Sequence, residues 1–291
     1  MSKVSTKAPK ERIIRSTREK ICHEIVFIIF VLYAITLLYP FFFLLINSFK
    51  VDVWEMRNNP LGFPKTFGFS SYSVAWVKMN IAEMFFNTIT LAVGQTLVSM
   101  ALTCMAAYVL AKYPFKGNKF IYTFVIVCSV VPTFGAEAAL FNLMTNVFHL
   151  RNSYVGMLCL CGAFGGPFLY LHSFFKGIPW SFAESAMIDG ASDYRIFLQI
   201  MLPLAKNGVL VFTIMKFMGY WNEYWQAFLY YGQHPTLAVG LQLLSGLAGQ
   251  GGLPYSVFFA GTILCIIPVL IFYAIFSDKL MSNLNAGGIK G

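Results

Sequence analysis

Six long apolar runs constrain this 291-residue chain more than any other feature of its sequence. A helix needs about twenty predominantly apolar residues to cross the hydrocarbon core of a bilayer. Because no water is available there to bond backbone N–H and C=O groups, a crossing has to satisfy them internally, as a helix does. The sequence therefore predicts an all-α polytopic membrane protein. Its predicted spans are residues 25–48, 85–111, 120–144, 155–174, 209–231 and 255–277.

The composition agrees with a membrane protein. Hydrophobic residues make up 58% of the chain and charged residues only 11%, whereas about a quarter of the residues of a soluble domain are charged. The formal net charge of +9 comes from lysines and arginines that are spread over the short segments between apolar runs. This distribution indicates membrane topology rather than a nucleic-acid partner.

The basic residues also predict the orientation. Cytoplasmic segments of membrane proteins are enriched in lysine and arginine. The enriched segments here are residues 1–24, 112–119, 175–208 and the C-terminal end. The first apolar run is too long for a signal-peptide core and no small-residue cleavage site follows it, so we expect it to be a retained anchor. Both termini are thus predicted to be cytoplasmic.

This topology divides the chain into three parts. Residues 1–24 form a basic N-terminal segment, residues 25–281 a six-span transmembrane domain, and residues 282–291 a cytoplasmic tail. The domain contains one long cytoplasmic loop, residues 175–206. Residues 232–254, rich in glycine and leucine, are compatible with either a re-entrant or an amphipathic element.

The long cytoplasmic loop carries the signals of a short helix. Ser181 and Glu184 have the spacing of a capping box, in which the hydroxyl and the carboxylate each bond a free backbone N–H. Gly190 is predicted to end this helix, because glycine adopts the left-handed conformation without steric cost.

A second helix is predicted to end at Leu202 and Pro203, because a residue before proline is driven out of the helical region. On the first helix, a stripe of mostly small side chains predicts a face that a partner surface can approach closely. The residues of this stripe are Ala183, Ala186, Met187 and Gly190.

Three charged residues fall inside predicted spans, where a charge costs about 2.5–3.5 kcal/mol on insertion scales. Glu137 lies in the third run, Lys216 in the fifth, and Glu223 follows Lys216 by seven residues, on the same helical face. These charges either pair with one another or line a pathway for a polar solute. The candidate path residues are Glu137, Lys216, Tyr220, Trp221, Asn222, Glu223 and Trp225. Aromatic rings beside hydrogen-bonding groups suit sugars, but they also occur in an ordinary interfacial belt.

Two further patterns predict buried structure within the spans. Gly162 and Gly166 have the spacing that lets helices approach closely, and a kink is the alternative. All six cysteines lie inside or at the edge of apolar runs, without metal-ligand or redox spacing, so we expect them to be buried small hydrophobes.

No motif for catalysis is present. The sequence has no GxxxxGK[ST] phosphate loop, no GxSxG elbow and no HExxH, and its four histidines are scattered. We therefore expect neither enzymatic activity nor a metal or cofactor site in this chain.

The long loop resembles the EAA signature of the membrane subunits of binding-protein-dependent ABC importers. The matching residues are Glu184, Ala186, Gly190, Ile200, Leu202 and Pro203. The chain is further similar to type I carbohydrate permeases of the second maltose permease type. The segments that carry this likeness are NTITLAV from Asn87, AYVLAKYPFKG from Ala107, GYWNEYWQAF from Gly219 and NAGGIKG from Asn285.

The resemblance implies a type I ABC importer permease in a bacterial plasma membrane. Its expected partners are a second homologous permease, two ATPase subunits that bind ATP and magnesium, and an extracytoplasmic solute-binding protein. The signature residues, with Ser181, would couple to the ATPases, and the tail would contact them. The tail residues implied are Asn285, Gly287, Gly288 and Lys290.

The expected cargo is an oligosaccharide. The positive charge of Lys216 suggests that this cargo carries a carboxylate. The same architecture also serves amino acids, phosphate or opines. A self-sufficient carrier or channel is the other alternative, and it predicts an inverted repeat, which the sequence does not display.

Overall fold

The computed structural model describes residues 17–131 and 135–287, and it is helical throughout this part of the chain. The α-helices are α1 (Thr17–Ser48), α2 (Val53–Asn58), α3 (Ser70–Met79), α4 (Ile81–Lys112), α5 (Asn118–Val130), α6 (Ala136–Asn142), α7 (Tyr154–Cys159), α8 (Gly166–Gly177), α9 (Ser181–Ile188), α10 (Asp193–Ile196), α11 (Leu202–Leu204), α12 (Lys206–Asn222), α13 (Trp225–Tyr230), α14 (Leu237–Gly249) and α15 (Tyr255–Gly287). Two π-helices comprise Leu143–Val147 and Phe197–Met201. The expected all-α class is confirmed.

Three of the predicted spans are continuous helices. The segments long and apolar enough to cross a membrane are Arg18–Ser48, Ile81–Lys112 and Tyr255–Ser277. The other three apolar runs are each divided into shorter helices by a break. The count of six crossings therefore stays a prediction. Helix α4 occupies the centre of the bundle, where it packs against α7, α8, α12 and α14.

The third apolar run ends its first helix at Val130. Val131 adopts an extended conformation, with φ −69° and ψ 121°. Its successor in the sequence is a proline, which disfavours the helical conformation of the preceding residue. Gly135, with φ 85°, then precedes α6. A proline and a glycine thus divide this run.

The break in the fourth run, between α7 and α8, is held by polar side chains of α4. Three of them, spaced four residues apart on one helical face, donate to backbone carbonyls at and before the break. The bonds run from Gln95 Nε2 to Met157 O at 3.2 Å, from Ser99 Oγ to Gly162 O at 2.8 Å, and from Thr103 Oγ1 to Ala163 O at 2.8 Å. Non-helical backbone at membrane depth requires such internal partners.

The glycines of this break do not mediate close helix packing. A Cβ added at Gly162 would have its nearest neighbour at 3.8 Å, and one at Gly166 would meet open space. Gly165 has φ 126°, a conformation that L side chains rarely adopt. The close-packing prediction is therefore wrong, because these glycines let the backbone leave the helix.

The segments between the spans form packed caps. Helix α3 packs against α15, and the hydroxyl of Ser71 donates to Ser256 at 3.1 Å. In the 232–254 segment, α14 packs against α3, α4 and α15. At 1.5 Å per residue its 13 residues extend about 20 Å, less than the roughly 30 Å hydrocarbon core. This segment therefore contains a short helix packed on the bundle, and its re-entrant or amphipathic character stays a prediction.

Two sequence predictions require correction or restriction. Cys104, Cys161 and Cys265 are buried as expected, but Cys22, Cys128 and Cys159 are exposed. These three exposed cysteines show that a position inside an apolar run of the sequence does not ensure burial within the folded chain.

The predicted tail begins as a continuation of the last helix. Helix α15 extends through Gly287, so Asn285 and Gly287 belong to it. Gly288 and Lys290 lie outside the described residues, as do residues 1–16 of the N-terminal segment.

Removal of the α4 donors should destabilise the bundle. In the double variant Ser99→Ala/Thr103→Val, the carbonyls of Gly162 and Ala163 lose their partners, which costs about 1–3 kcal/mol for each buried bond. We expect a lower thermal midpoint for the purified complex in detergent. Thr90→Val, which removes an exposed hydroxyl of the same helix, is the control. Equal midpoints for both variants would contradict this role of the α4 stripe.

Candidate functional site

The first candidate site is the long loop predicted to be cytoplasmic, residues 175–206, which contains α9. Ser181 is the first residue of this helix and Trp180 is its N-cap, with no side-chain capping bond. Trp180 already has helical dihedral angles, φ −70° and ψ −20°, and its carbonyl accepts the N–H of Ala183 at 2.8 Å. The predicted capping box is therefore wrong, because Ser181 lies within the first turn rather than before it.

The end of α9 is as predicted. Gly190 adopts the left-handed conformation with φ 78°. Its N–H donates to Met187 O at 3.0 Å, and the N–H of Ala191 donates to Ala186 O at 2.9 Å. These two bonds are those of a Schellman motif, which satisfies the free carbonyls at a helix end.

The second helix of the loop does not end at the leucine–proline pair. After α10 the chain forms the π-helix Phe197–Met201, which contains Ile200, and then α11, which contains Leu202 and Pro203. The wider turn lets the Leu202 N–H bond Phe197 O, five residues back. Proline is tolerated in the first turn of the helix that follows. The loop instead ends at Ala205, where the chain bends by 83° into α12.

The stripe of small residues on α9 faces this chain's own bundle. Ala183 and Ala186 are buried in a core cluster with Phe168, Phe175 and Ile196. Small side chains let α9 lie close to the bundle, which leaves the opposite face of the loop uncovered. The prediction that this stripe meets a partner is therefore wrong for Ala183 and Ala186, whereas Met187 and Gly190 are exposed. Glu184 is exposed, as a partner contact requires.

The uncovered face of the loop is apolar. Ile188 is 86% exposed and Tyr194 is 80% exposed. The large exposed side chains of this face, here called the docking face, are Phe182, Met187, Ile188, Tyr194 and Leu198. Several large exposed apolar side chains on one loop are typical of a protein-interaction surface. Sequence reasoning missed it, although apolar residues in an otherwise polar loop were the available signal.

A tyrosine ties the docking face to the central helix. Tyr113, next to the end of α4, donates its hydroxyl to Asp193 Oδ1 at 2.8 Å. Burial raises the pKa of Tyr113, so its hydroxyl stays protonated and available as the donor. The ring also packs edge-to-face on Trp180, with centroids 5.7 Å apart. Lys112 adds a bond to the Ile178 carbonyl. These contacts fix the loop against the end of α4.

The second candidate site is the uncovered face of α12. Met215, Gly219 and Asn222 are exposed and follow one another along one side of the helix. Lys216 is half-buried at the edge of this stripe, with Nζ 5.7 Å from the ring centroid of Tyr220. Tyr220 is itself half-buried beside Ser99 and Cys161.

Trp221 does not belong to this face. It is only 8% exposed and packs against Phe85 at 6.1 Å and Phe217 at 5.7 Å between ring centroids. Its position on the opposite side of α12 makes it a core residue. The assignment of Trp221 to a solute path is therefore wrong.

The helix ends before Glu223, so the expected common face with Lys216 is wrong as well. Glu223 Oε1 accepts the N–H groups of Trp225 at 2.9 Å and Gln226 at 3.1 Å, which caps α13. Asn222 donates to Met218 O at 2.8 Å. Trp225 is exposed beside Tyr224, with ring centroids 6.1 Å apart.

The charges in the spans do not pair with one another. Glu137 is exposed in the first turn of α6. Across residues 17–131 and 135–287, no ion pair joins Lys216 to Glu137 or Glu223. Among the described residues, the structure therefore does not support an internal charge cluster of Lys216, Glu137 and Glu223.

The fold and the two faces define a class of protein: a helical membrane protein with a broken-helix core, a loop with exposed apolar side chains and an uncovered face on α12. Residues 99–282 match the family described as binding-protein-dependent transport system inner membrane component. The chain belongs to this family. It is therefore a transport subunit and not an enzyme, and it works with a partner permease, ATPases and a binding protein.

Curated relatives cover most of both chains. The diacetylchitobiose uptake system permease protein NgcG of Streptomyces coelicolor is 31% identical over 89% of this chain and 86% of its own. The sulfoquinovosyl glycerol transport system permease protein SmoH of Agrobacterium fabrum is 30% identical over 87% of this chain and 89% of its own. The arabinooligosaccharides transport system permease protein AraQ of Bacillus subtilis is 29% identical over 90% of this chain and 94% of its own.

A solved structure supports the fold. It is a crystal structure of a bacterial ABC transporter involved in the import of the acidic polysaccharide alginate. The TM-score is 0.77 at 22% sequence identity, covering 91% of this chain and 98% of the other. The type I importer permease fold expected from the sequence is confirmed.

Replacement of Gly190 should uncouple the loop. A valine there would be strained by the positive φ rather than by crowding, because no heavy atom lies within 4 Å of the added Cβ. Left-handed backbone costs about 1–2 kcal/mol for most residues. We expect Gly190→Val to weaken solute-stimulated ATP hydrolysis by the assembled complex, whereas Gly190→Asn, which tolerates this conformation, should retain it. Unchanged stimulation in the valine variant would contradict a coupling role.

The docking face can be tested at its most exposed residue. Ile188→Asp would place a charge in the interface, and we expect copurification with the ATPase subunits to fall at least about tenfold, since tenfold corresponds to only about 1.4 kcal/mol. The matched control is Ile188→Leu, which keeps the apolar contact area. Equal ATPase recovery with both variants would show that the ATPases dock elsewhere.

Proposed function

We propose that this chain is one of two permeases in an ATP-driven importer of oligosaccharides, located in a bacterial inner membrane with both termini cytoplasmic. A second, homologous permease completes the path, two ATPases dock on the cytoplasmic side, and an extracytoplasmic binding protein delivers the sugar. The observation that carries the proposal is the pairing of an apolar docking face with an uncovered polar face on α12, joined through one bundle.

The uncovered face explains why a second permease is needed. A half-buried ammonium cannot face hydrocarbon without a large cost, so the stripe beside Lys216 has to border water or protein. In this chain nothing covers the stripe of Met215, Gly219 and Asn222. A path between two permeases would supply both the water and the missing wall.

The chemistry of this face suits a saccharide. The exposed pair of Tyr224 and Trp225 offers ring faces on which the C–H groups of a sugar can lie, and Asn222 offers an amide. Relatives whose names specify saccharide cargo, such as arabinooligosaccharides, support the same class of substrate. Glu223 would contribute by capping α13, and Tyr220 by its position beside Lys216. Glu137 stays a candidate residue of the path.

Coupling would follow alternating access. ATP binding, with magnesium, closes the ATPase pair, and the docking face moves with it. The bond from Tyr113 to Asp193 passes this movement to α4, which holds the broken fourth run through its three donors. The break is then the part of the path best placed to open and close. Switching elements of this kind transmit rigid-body motion between two arrangements.

The cytoplasmic end of α15 would make a second ATPase contact. Asn285, Gly287, Gly288 and Lys290 are the residues proposed for it, on the strength of the resemblance in the last seven residues. This chain would need no cofactor of its own, because nucleotide and magnesium bind to the ATPases.

The test is uptake by the reconstituted complex. The tagged chain is purified with the permease, ATPases and binding protein that accompany it, and placed in proteoliposomes. We expect ATP-dependent uptake of a labelled oligosaccharide that the binding protein binds, and none with an ion gradient alone. Uptake of amino acids, phosphate or opines instead of sugars would change the cargo. Gradient-driven uptake by the chain alone would overturn the proposal.

A further inference from the structure

We propose that the Lys216 ammonium binds an acidic group on the cargo, the carboxylate of a uronic acid unit, during its passage along α12. This inference rests on the proposed function as a sugar importer and makes its substrate class specific. It assigns Lys216 the selection of acidic over neutral saccharides.

The position of Lys216 excludes lipid as its surroundings. It lies in the middle of α12, and its neighbours along the exposed stripe, Met215 and Gly219, are not covered by the described residues of this chain. A lysine at this depth in a membrane faces a cavity or a partner rather than hydrocarbon, because its charge is costly to desolvate. The stripe is therefore a protein-lined or water-lined surface.

No acidic side chain of the described residues neutralises Lys216. Its neighbours are the ring of Tyr220, at 5.7 Å from Nζ, and the thiol of Cys161. A ring face attracts an ammonium but leaves its positive charge uncompensated. Glu223 is engaged with the N-terminus of α13 instead. The ammonium thus remains available to an anion that enters the path.

The broken fourth run adds to the same environment. Cys161 is at the break. The backbone carbonyls of the next two residues, Gly162 and Ala163, already accept hydrogen bonds from Ser99 and Thr103 of α4. With these carbonyls satisfied, they do not compete for the ammonium.

The experiment compares matched pairs of sugars in the full importer. The probes are galactotriose with trigalacturonate, mannotriose with trimannuronate, and maltotriose with triglucuronate, each tested first for binding to the binding protein. ATP-driven uptake is then measured for wild type, Lys216→Met, Lys216→Arg and Lys119→Met. Lys119→Met removes the same charge from an exposed position in the first turn of α5. The binding protein is the same in all four, so its own preference cancels.

We expect Lys216→Met to lower the ratio of acidic to neutral uptake at least about tenfold, the size of one lost charge-assisted bond. Lys216→Arg and Lys119→Met should keep the wild-type ratio. Neutral uptake by Lys216→Met should persist, which shows that the importer itself is intact.

Three results would overturn the inference. An unchanged ratio in Lys216→Met, with normal neutral uptake, would remove the role of Lys216 and leave the proposed function standing. A binding protein that binds only neutral members of the pairs would exclude acidic cargo. Loss of the assembled complex in both Lys216→Met and Lys216→Gln, but not in Lys216→Arg, would show that the ammonium pairs with an acidic group of the partner permease. Failure of wild type to take up any saccharide would instead refute the proposed function.

Discussion

The structure depends on one constraint, which is that backbone leaving a helix inside a membrane must still find hydrogen-bond partners. The fourth apolar run breaks between α7 and α8, and the side chains of Ser99 and Thr103 donate to the carbonyls freed there. Gln95 supports the turn before the break. Helix α4 therefore does more than cross the membrane, because its polar face determines where a neighbouring helix can be interrupted.

The same helix connects the two faces that matter for function. At its cytoplasmic end, Tyr113 bonds Asp193 and fixes the loop that carries the docking face. In its middle, its donors hold the break beside Cys161, and Cys161 lies next to Lys216 on α12. Hydrogen bonds and packing through α4 thus connect the loop with the uncovered face of α12. Coupling through packed, hydrogen-bonded elements requires no flexible linker.

The sequence was a good guide wherever a local rule decides the structure. Gly190 ends α9 because a left-handed residue at that position favours glycine, and this was readable from the residue alone. The signature from Glu184 to Pro203 identified the family before any coordinates. Periodicity and apolar length likewise predicted α1, α4 and α15. The capping box failed because helical geometry begins at Trp180, one residue earlier than the pattern assumes.

The sequence by itself determined the all-α membrane class and the three continuous apolar helices, because these follow from hydropathy, and the resemblance from Glu184 to Pro203 indicated the family. Tertiary structure alone decided which side of each helix is covered. Ala183 turned out to face the bundle, so the docking face is the large apolar side of the loop. Trp221 and Lys216 lie five residues apart on α12, yet packing buries the tryptophan and leaves the lysine at the uncovered edge. Burial depends on neighbours distant in the chain, and no local pattern records them.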